Sequence, residues 1–251
     1  MTLLQSLAVL LAGLAAGAIN SVVGSGTLIT FPTLLAFGVP PVTANVSNTV
    51  GLVPGSVSGA VGYRRELAGQ RTRCVRLGVA SLIGGLLGAL LLLRLPAGAF
   101  NAIVPALILL GLVLVLLQPR ISAWVGGRHD DVADHGVWWV WPAVLVAGVY
   151  GGYFGAAQGV LLMAILGIGI PETLQRLNAV KNVLAAIVNG VAGLIFAFVA
   201  DVDWHVVVLI AVGSVIGGQL GATLGRRLPP LVLRAFIVVV GVVALLAFLL
   251  R

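Results

Sequence analysis

Pro171 to Gly190 reads PETLQRLNAVKNVLAAIVNG, and an earlier stretch, Pro40 to Gly59, is its twin. Both place polar residues inside a chain that otherwise reads as hydrocarbon. Asn178, Lys181 and Asn182 fall at i, i+3 and i+4, so a helix would carry them on one face. A lysine near mid-membrane costs at least about 2.5–3.5 kcal/mol. It therefore needs a partner, a water-filled cavity or a ligand. The alternative partner in sequence is Glu172, or the side chain snorkels to an interface.

Hydrophobic residues make up 60% of the 251 residues and charged residues 8%, with a mean hydropathy of +1.18. Soluble domains carry roughly 25% charged residues, so an all-α polytopic membrane protein is expected. Eight hydrophobic segments at about 20 residues each fill the chain. The net charge of +7 would suit nucleic acid, but the basic residues sit in short loops between apolar runs, where they act as topology signals. No nucleic-acid partner is expected. Cys74 is the only cysteine, which excludes an intramolecular disulfide and a cysteine metal cluster. His129, His135 and His205 lack metal-ligand spacing, and no cofactor is expected. The first 20 residues lack the basic start of a secretory signal and read as a retained first span.

Along the chain, Leu3 to Asn20 is long enough to cross a bilayer. Gly24-Ser25-Gly26-Thr27 leads into Leu28 to Phe37, too short to cross alone, and Gly38-Val39-Pro40-Pro41 stops it. Asn45 to Gly62 is unusually polar, with Asn45, Ser47, Asn48 and Thr49 early in it. Tyr63 to Arg76 reads as a cytoplasmic loop with Arg64, Arg65, Arg71, Arg73 and Arg76. Leu77 to Leu93 and Phe100 to Leu117 are plain spans. Gln118 to Val137 is a polar connector, and Trp138, Trp139 and Trp141 mark an interface after it.

Then the pattern recurs. Gly24 and Gly38 match Gly155 and Gly169, both 131 positions later, and Pro40 matches Pro171. After a two-residue slip, Asn45, Asn48 and Thr49 match Asn178, Lys181 and Asn182. Ser81, Gly84, Gly85, Gly88 and Ala89 match Ser214, Gly217, Gly218, Gly221 and Ala222, and Arg94-Leu95-Pro96 matches Arg227-Leu228-Pro229. This is an internal duplication. It divides the chain into a first membrane repeat (1–117), a connector (118–137) and a second repeat (138–251), each of four segments. Duplicated halves around a mid-membrane site are a common plan of secondary transporters.

Loop charge favours inverted halves, each crossing three times with a re-entrant, Gly/Pro-broken pair at about 24–62 and 155–199. That arrangement leaves only Arg94 and Arg251 of the basic loop residues outside, while parallel halves would put Arg94, Arg226, Arg227 and Arg234 outside and Arg251 inside.

Gly24-Ser-Gly26, Pro32, Gly38-x-Pro40 and Ala44-Asn45, repeated as Gly155 to Gly159, Gly169-x-Pro171 and Asn178-x-x-Lys181-Asn182, resemble the TauE/SafE family. The similarity covers essentially the whole chain. Members look like Gly-x-Gly-Gly-Gly followed by Val-Pro in each half; this chain departs with Gly24-Ser-Gly-Thr27 and Gly155-Ala-Ala-Gln158-Gly159. The resemblance implies a permease for sulfite, an organosulfonate or a related small organic anion, in a bacterial inner or plasma membrane.

The expected substrate-binding residues are Lys181, Asn178 and Asn182, with Asn45, Asn48 and Thr49 from the twin stretch and Ser25 and Gln158 from the glycine turns. An ammonium supplies charge and amides donate to anion oxygens, while glycine turns let backbone amides approach a ligand. In each case a packing or helix-end role remains the alternative. The ladders Gly51-Gly55-Gly59, Gly84-Gly88 and Gly217-Gly221 read as packing seams. Expected partners are the small anion, the bilayer, protons as coupling ion and, left open, a second copy of the chain. A non-transporting scaffold and an intramembrane enzyme are the competing readings. The enzyme reading wants an acid, base or metal cluster that the apolar segments do not offer.

Overall fold

The chain is seen here as a computed structural model that describes residues 1–125 and 137–224, with single positions between 235 and 246. Among the described residues it is all helix and turn: α1 (Leu3–Val22), α2 (Thr27–Ala36), α3 (Pro41–Gly62), α4 (Arg71–Arg94), α5 (Ala97–Val125), α6 (Val140–Tyr153), α7 (Gln158–Gly169), α8 (Leu174–Val199) and α9 (Trp204–Thr223). Five of them, α1, α4, α5, α8 and α9, are long and apolar enough to cross a membrane. Leu86, Leu109, Phe198 and Val208 point their side chains outward, as hydrocarbon-facing surface does.

The boundaries follow local chemistry. Thr2 closes a capping box over the start of α1, and the Asp203 carboxylate accepts from the His205 and Val206 N–H groups at the start of α9. Pro41 takes the first turn of α3, where its missing donor costs nothing. Gly24 (φ 87°) and Gly155 (φ 77°) turn the chain out of α1 and α6. Two expected boundaries are corrected. Arg71, Arg73 and Arg76 lie on the first turns of α4 rather than in a loop, because arginine stems lie along a helix while their heads reach water. The α5 helix runs on through Pro119 to Val125 and takes up the beginning of the polar connector. The rest of the connector, from 126 to 136, falls outside the described residues, as do Arg226, Arg227, Arg234 and Arg251.

Glycine seams set the packing. In lipid no hydrophobic force pulls helices together, so small residues that let backbones touch do much of the work. A side chain on Gly217 would strike the Leu14 carbonyl, and one on Gly221 the Ala18 carbonyl. Gly13 and Gly17 of α1 in turn face Ile210 and Ser214. The helices α1 and α9 therefore run in the same sense. The same kind of contact joins α4 to α6, where Gly84 and Gly88 meet the Leu145 and Val149 carbonyls. The α3 helix runs with α9, since Gly51 and Gly55 face Ile210 and Ser214 and Gly62 faces Ala222. Against α8 it runs the opposite way: Val50 and Val53 meet Gly193, while Ser56 meets Asn189.

Because α1 and α3 point the same way, residues 23–40 must bring the chain back between them. The α2 helix, 10 residues long, is the only helix available for that return. At 1.5 Å per residue it covers about half a bilayer. Its counterpart α7 has 12 residues.

Candidate functional site

The turns after α1 and α6 meet at the centre of the molecule. Gly159 N–H donates to the Gly24 carbonyl at 3.0 Å, and a Cβ on either glycine would strike the other's Cα. Backbone packs directly on backbone there. Ala157 holds a left-handed φ of 58°, a conformation that disfavours any residue but glycine. It occupies the third place of the Gly155–Gly159 turn, where the family pattern has glycine.

Beside this crossing lies a cavity of about 20 Å³, room for a single water molecule. Its polar wall is formed by Asn20, Ser21, Thr27, Ser56, Gln158, Asn182 and Asn189. Among the described residues no carboxylate lines it. Asn189 Nδ2 donates to Ser56 Oγ at 2.9 Å, and Asn182 Nδ2 to the Ser21 carbonyl at 3.1 Å. Asn20 Oδ1 accepts from Gly26 N–H at 2.7 Å, which fixes the turn between α1 and α2. Gln158 Nε2 is buried with no hydrogen-bond partner among the described residues, an expensive state for a donor unless something fills it.

Of the eight sequence-predicted site residues, Asn182 and Gln158 line this cavity. Lys181 and Asn178 lie one layer behind it, on the carbonyls that end α1. Lys181 is 0% exposed, and its Nζ donates to the Asn20 carbonyl at 2.9 Å and the Ser21 carbonyl at 3.5 Å. Asn178 Nδ2 donates to the Ser21 carbonyl at 3.0 Å. Asn45 does the mirror task for the other half, donating to the Tyr153 carbonyl at the end of α6 at 2.9 Å. Asn48 bonds Thr30 and, at 3.4 Å, Thr27. Thr49 returns its hydroxyl to the Asn45 carbonyl of its own helix at 2.9 Å. Ser25 is buried, and its hydroxyl finds no partner among the described residues. The two Asn sets thus end different helices, one in each half.

Glu172 is not the partner of Lys181. It pairs with Arg176 at 3.0 Å and Arg73 at 3.4 Å. Partial burial opposes its ionisation, but the Thr173 N–H and the two guanidiniums outweigh that and hold the carboxyl below its ordinary range.

Asn20, Ser56 and Asn189 were missed as site residues. The signal for Asn189 was present: it continues the face of Asn182 two helical turns on. Asn20 and Ser56 lie in other segments, and only the packing brings them in.

Comparison with known proteins gives a consistent result. The sulfite exporter TauE/SafE family matches residues 9–248. A probable membrane transporter protein, ORF9 of a Sinorhizobium species, is 28% identical over 236 residues, covering 90% of this chain and 85% of its own. The probable membrane transporter protein YfcA of Escherichia coli strain K12 is 27% identical, covering 91% and 83%. YdhB of Bacillus subtilis, also named a probable membrane transporter protein, is 25% identical, covering 88% and 89%. No solved structure matches. With a family match over nearly its whole length and transporters among its relatives, the chain is a membrane protein that belongs to the sulfite exporter TauE/SafE family.

Proposed function

We propose that the protein is a secondary transporter that carries a small anion, of the sulfite or organosulfonate class, through the central cavity between two inverted repeats. The repeats are residues 1–117 and 138–251, joined by 118–137. The observation that carries this reading is the cavity wall. It offers amides and hydroxyls from both halves and, among the described residues, no carboxylate, with Gln158, whose amide nitrogen is buried and unpartnered, on the wall and the Lys181 ammonium directly behind Asn20. The scaffold reading wants polar groups that satisfy one another with no space between them, and this wall does not fit it.

Inversion is supported by the helix senses, with α1, α3 and α9 one way and α4, α6 and α8 the other. It is supported too by the exchanged seams, Leu14 on Gly217 and Leu145 on Gly84. The re-entrant elements on this reading are α2 and α7, so each half crosses an odd number of times. A cysteine at Asp203 is then expected to label from outside and one at Arg65 from inside, with an impermeant thiol reagent on Cys74→Ser protein. Labelling of both from one side would refute inversion.

Asn182 and Gln158 donate to the anion, Asn20, Ser56 and Asn189 complete the cradle, and Lys181 with Asn178 supplies charge and holds the end of α1. Asn45 does the equivalent holding for the end of α6, Asn48 ties α3 to α2 through Thr30 and Thr27, and Thr49 and Ser25 take supporting places beside them. A cavity the size of one water must open for an anion of several atoms, so access alternates as the α2 and α7 arms move. Proton coupling, on this reading, runs through Lys181. Every Asp and Glu among the described residues (Glu66, Glu172, Asp201 and Asp203) lies in a connection between helices.

The test is sulfite and organosulfonate efflux from proteoliposomes. Gln158→Leu and Asn182→Leu each remove an anion donor, a loss of about 0.5–1.5 kcal/mol or more in affinity, and are expected to slow efflux several-fold to tenfold at low substrate. Wild-type rates in both would place the anion elsewhere.

A further inference from the structure

The antiparallel helices α3 and α8 are in contact along their length. Gly193 is seated against Val50 and Val53, the Ser56–Asn189 hydrogen bond joins their middles, and Tyr63 packs with Ala179 at the far end. Between that bond and Tyr63, a surface groove of about 410 Å³ runs with Val57, Ala60 and Val61 on one side and Val183, Ala186 and Ile187 on the other. Among the described residues, Arg64 is the one charged residue on its wall. Arg64 lies just past the end of α3, at the end of the bundle that also carries the Arg73–Glu172–Arg176 cluster. That is the level at which charged groups meet headgroups.

Among the described residues the place equivalent to this groove is built differently. The repeat places Ala197 opposite Arg64 and Gly190 opposite Val57, and at the corresponding end of the pair Gly193 is seated against Val50 and Val53. An apolar slot with one guanidinium at its mouth matches a molecule with an acyl chain and an anionic head. The geometry points to a bound anionic phospholipid, its acyl chain between α3 and α8 and its phosphate on Arg64. The Ser56–Asn189 pair, next along α3 and α8 from the groove, belongs to the wall of the central cavity, so the lipid would brace the two helices that carry that wall.

Native mass spectrometry tests the assignment on the full chain in micelles doped with equal amounts of dioleoyl phosphatidylglycerol and dioleoyl phosphatidylcholine. The wild-type protein is expected to retain phosphatidylglycerol about fivefold over phosphatidylcholine, the contribution of one arginine near an anionic surface. Arg64→Gln, an exposed change, should bring the ratio to parity. Arg120→Gln, an exposed arginine outside the groove, should leave the ratio as it was. Ala186→Phe fills the slot and should displace both lipids. Parity in the wild type overturns the proposal, and so does an equal effect of Arg64→Gln and Arg120→Gln, which would mean loose attraction to the whole face. A dimer that excludes lipid and separates on Ala186→Phe would assign the groove to a second copy instead. Should Ala186→Phe fail to fold, the Arg64→Gln and Arg120→Gln comparison decides alone.

Discussion

Lys181→Gln should cut anion efflux from proteoliposomes by about tenfold to a hundredfold, the equivalent of losing a unit charge about 6–10 Å behind the anion, worth about 1.5–3 kcal/mol at the effective dielectric of a protein interior. Heat stability should hold or rise. Keeping a lysine inside the membrane costs at least about 2.5–3.5 kcal/mol. Its 2.9 Å bond to the Asn20 carbonyl returns about 1.5–3 kcal/mol as a charged hydrogen bond, the 3.5 Å contact with the Ser21 carbonyl adds less, and Asn178 and Asn182 also bond Ser21. On these magnitudes cost and return roughly cancel, so the fold alone gains little from a cation there. Lys181→Arg should recover transport only in part, because a planar fork replaces a compact ammonium in a fully enclosed site. Adding Glu172→Gln to Lys181→Gln should restore nothing, since Glu172 is held by Arg73 and Arg176. Wild-type efflux in Lys181→Gln would mean that the charge serves only the helix end.

Gly24→Ala should be among the most damaging single-methyl changes in the chain. Its φ of 87° adds a backbone cost of about 1–2 kcal/mol for any side chain. The new Cβ would also strike the Gly159 backbone, an overpacking cost of about 1–3 kcal/mol. Gly38 separates the two terms, because it has a similar φ of 83° with nothing within 4 Å of an added Cβ. Thermal unfolding in detergent should therefore show Gly38→Ala losing the backbone term and Gly24→Ala losing both. Equal losses would argue that the two turns are not in backbone contact.

Much of the architecture was legible before any coordinates. The recurrence of Gly24, Gly38 and Pro40 at Gly155, Gly169 and Pro171 marked the breaks that follow α1 and α6 and precede α3 and α8, because glycine and proline at a helix break have few substitutes. What stayed hidden was which helix surfaces meet. The Gly217 seam fits the Leu14 carbonyl, and a carbonyl leaves no mark in a side-chain pattern. The same reason hid the partners of Lys181, which are the last carbonyls of α1. Asn182 and Gln158 stood out as polar residues in apolar runs, and both line the cavity. Asn20 and Ser56 did not stand out, since each sits alone at a position that could equally well end or bend a helix.

The central claim is that an anion occupies the cavity and that the cavity opens to each side in turn. Ala185 lines it without donating to anything, so Ala185→Cys in a Cys74→Ser background reports on the space while sparing every proposed ligand. An impermeant thiol reagent should modify this cysteine when added from either side of the membrane, and an unreactive organosulfonate such as methanesulfonate should slow the reaction from both. Modification from one side only, or at a rate that the sulfonate leaves unchanged, would contradict the account.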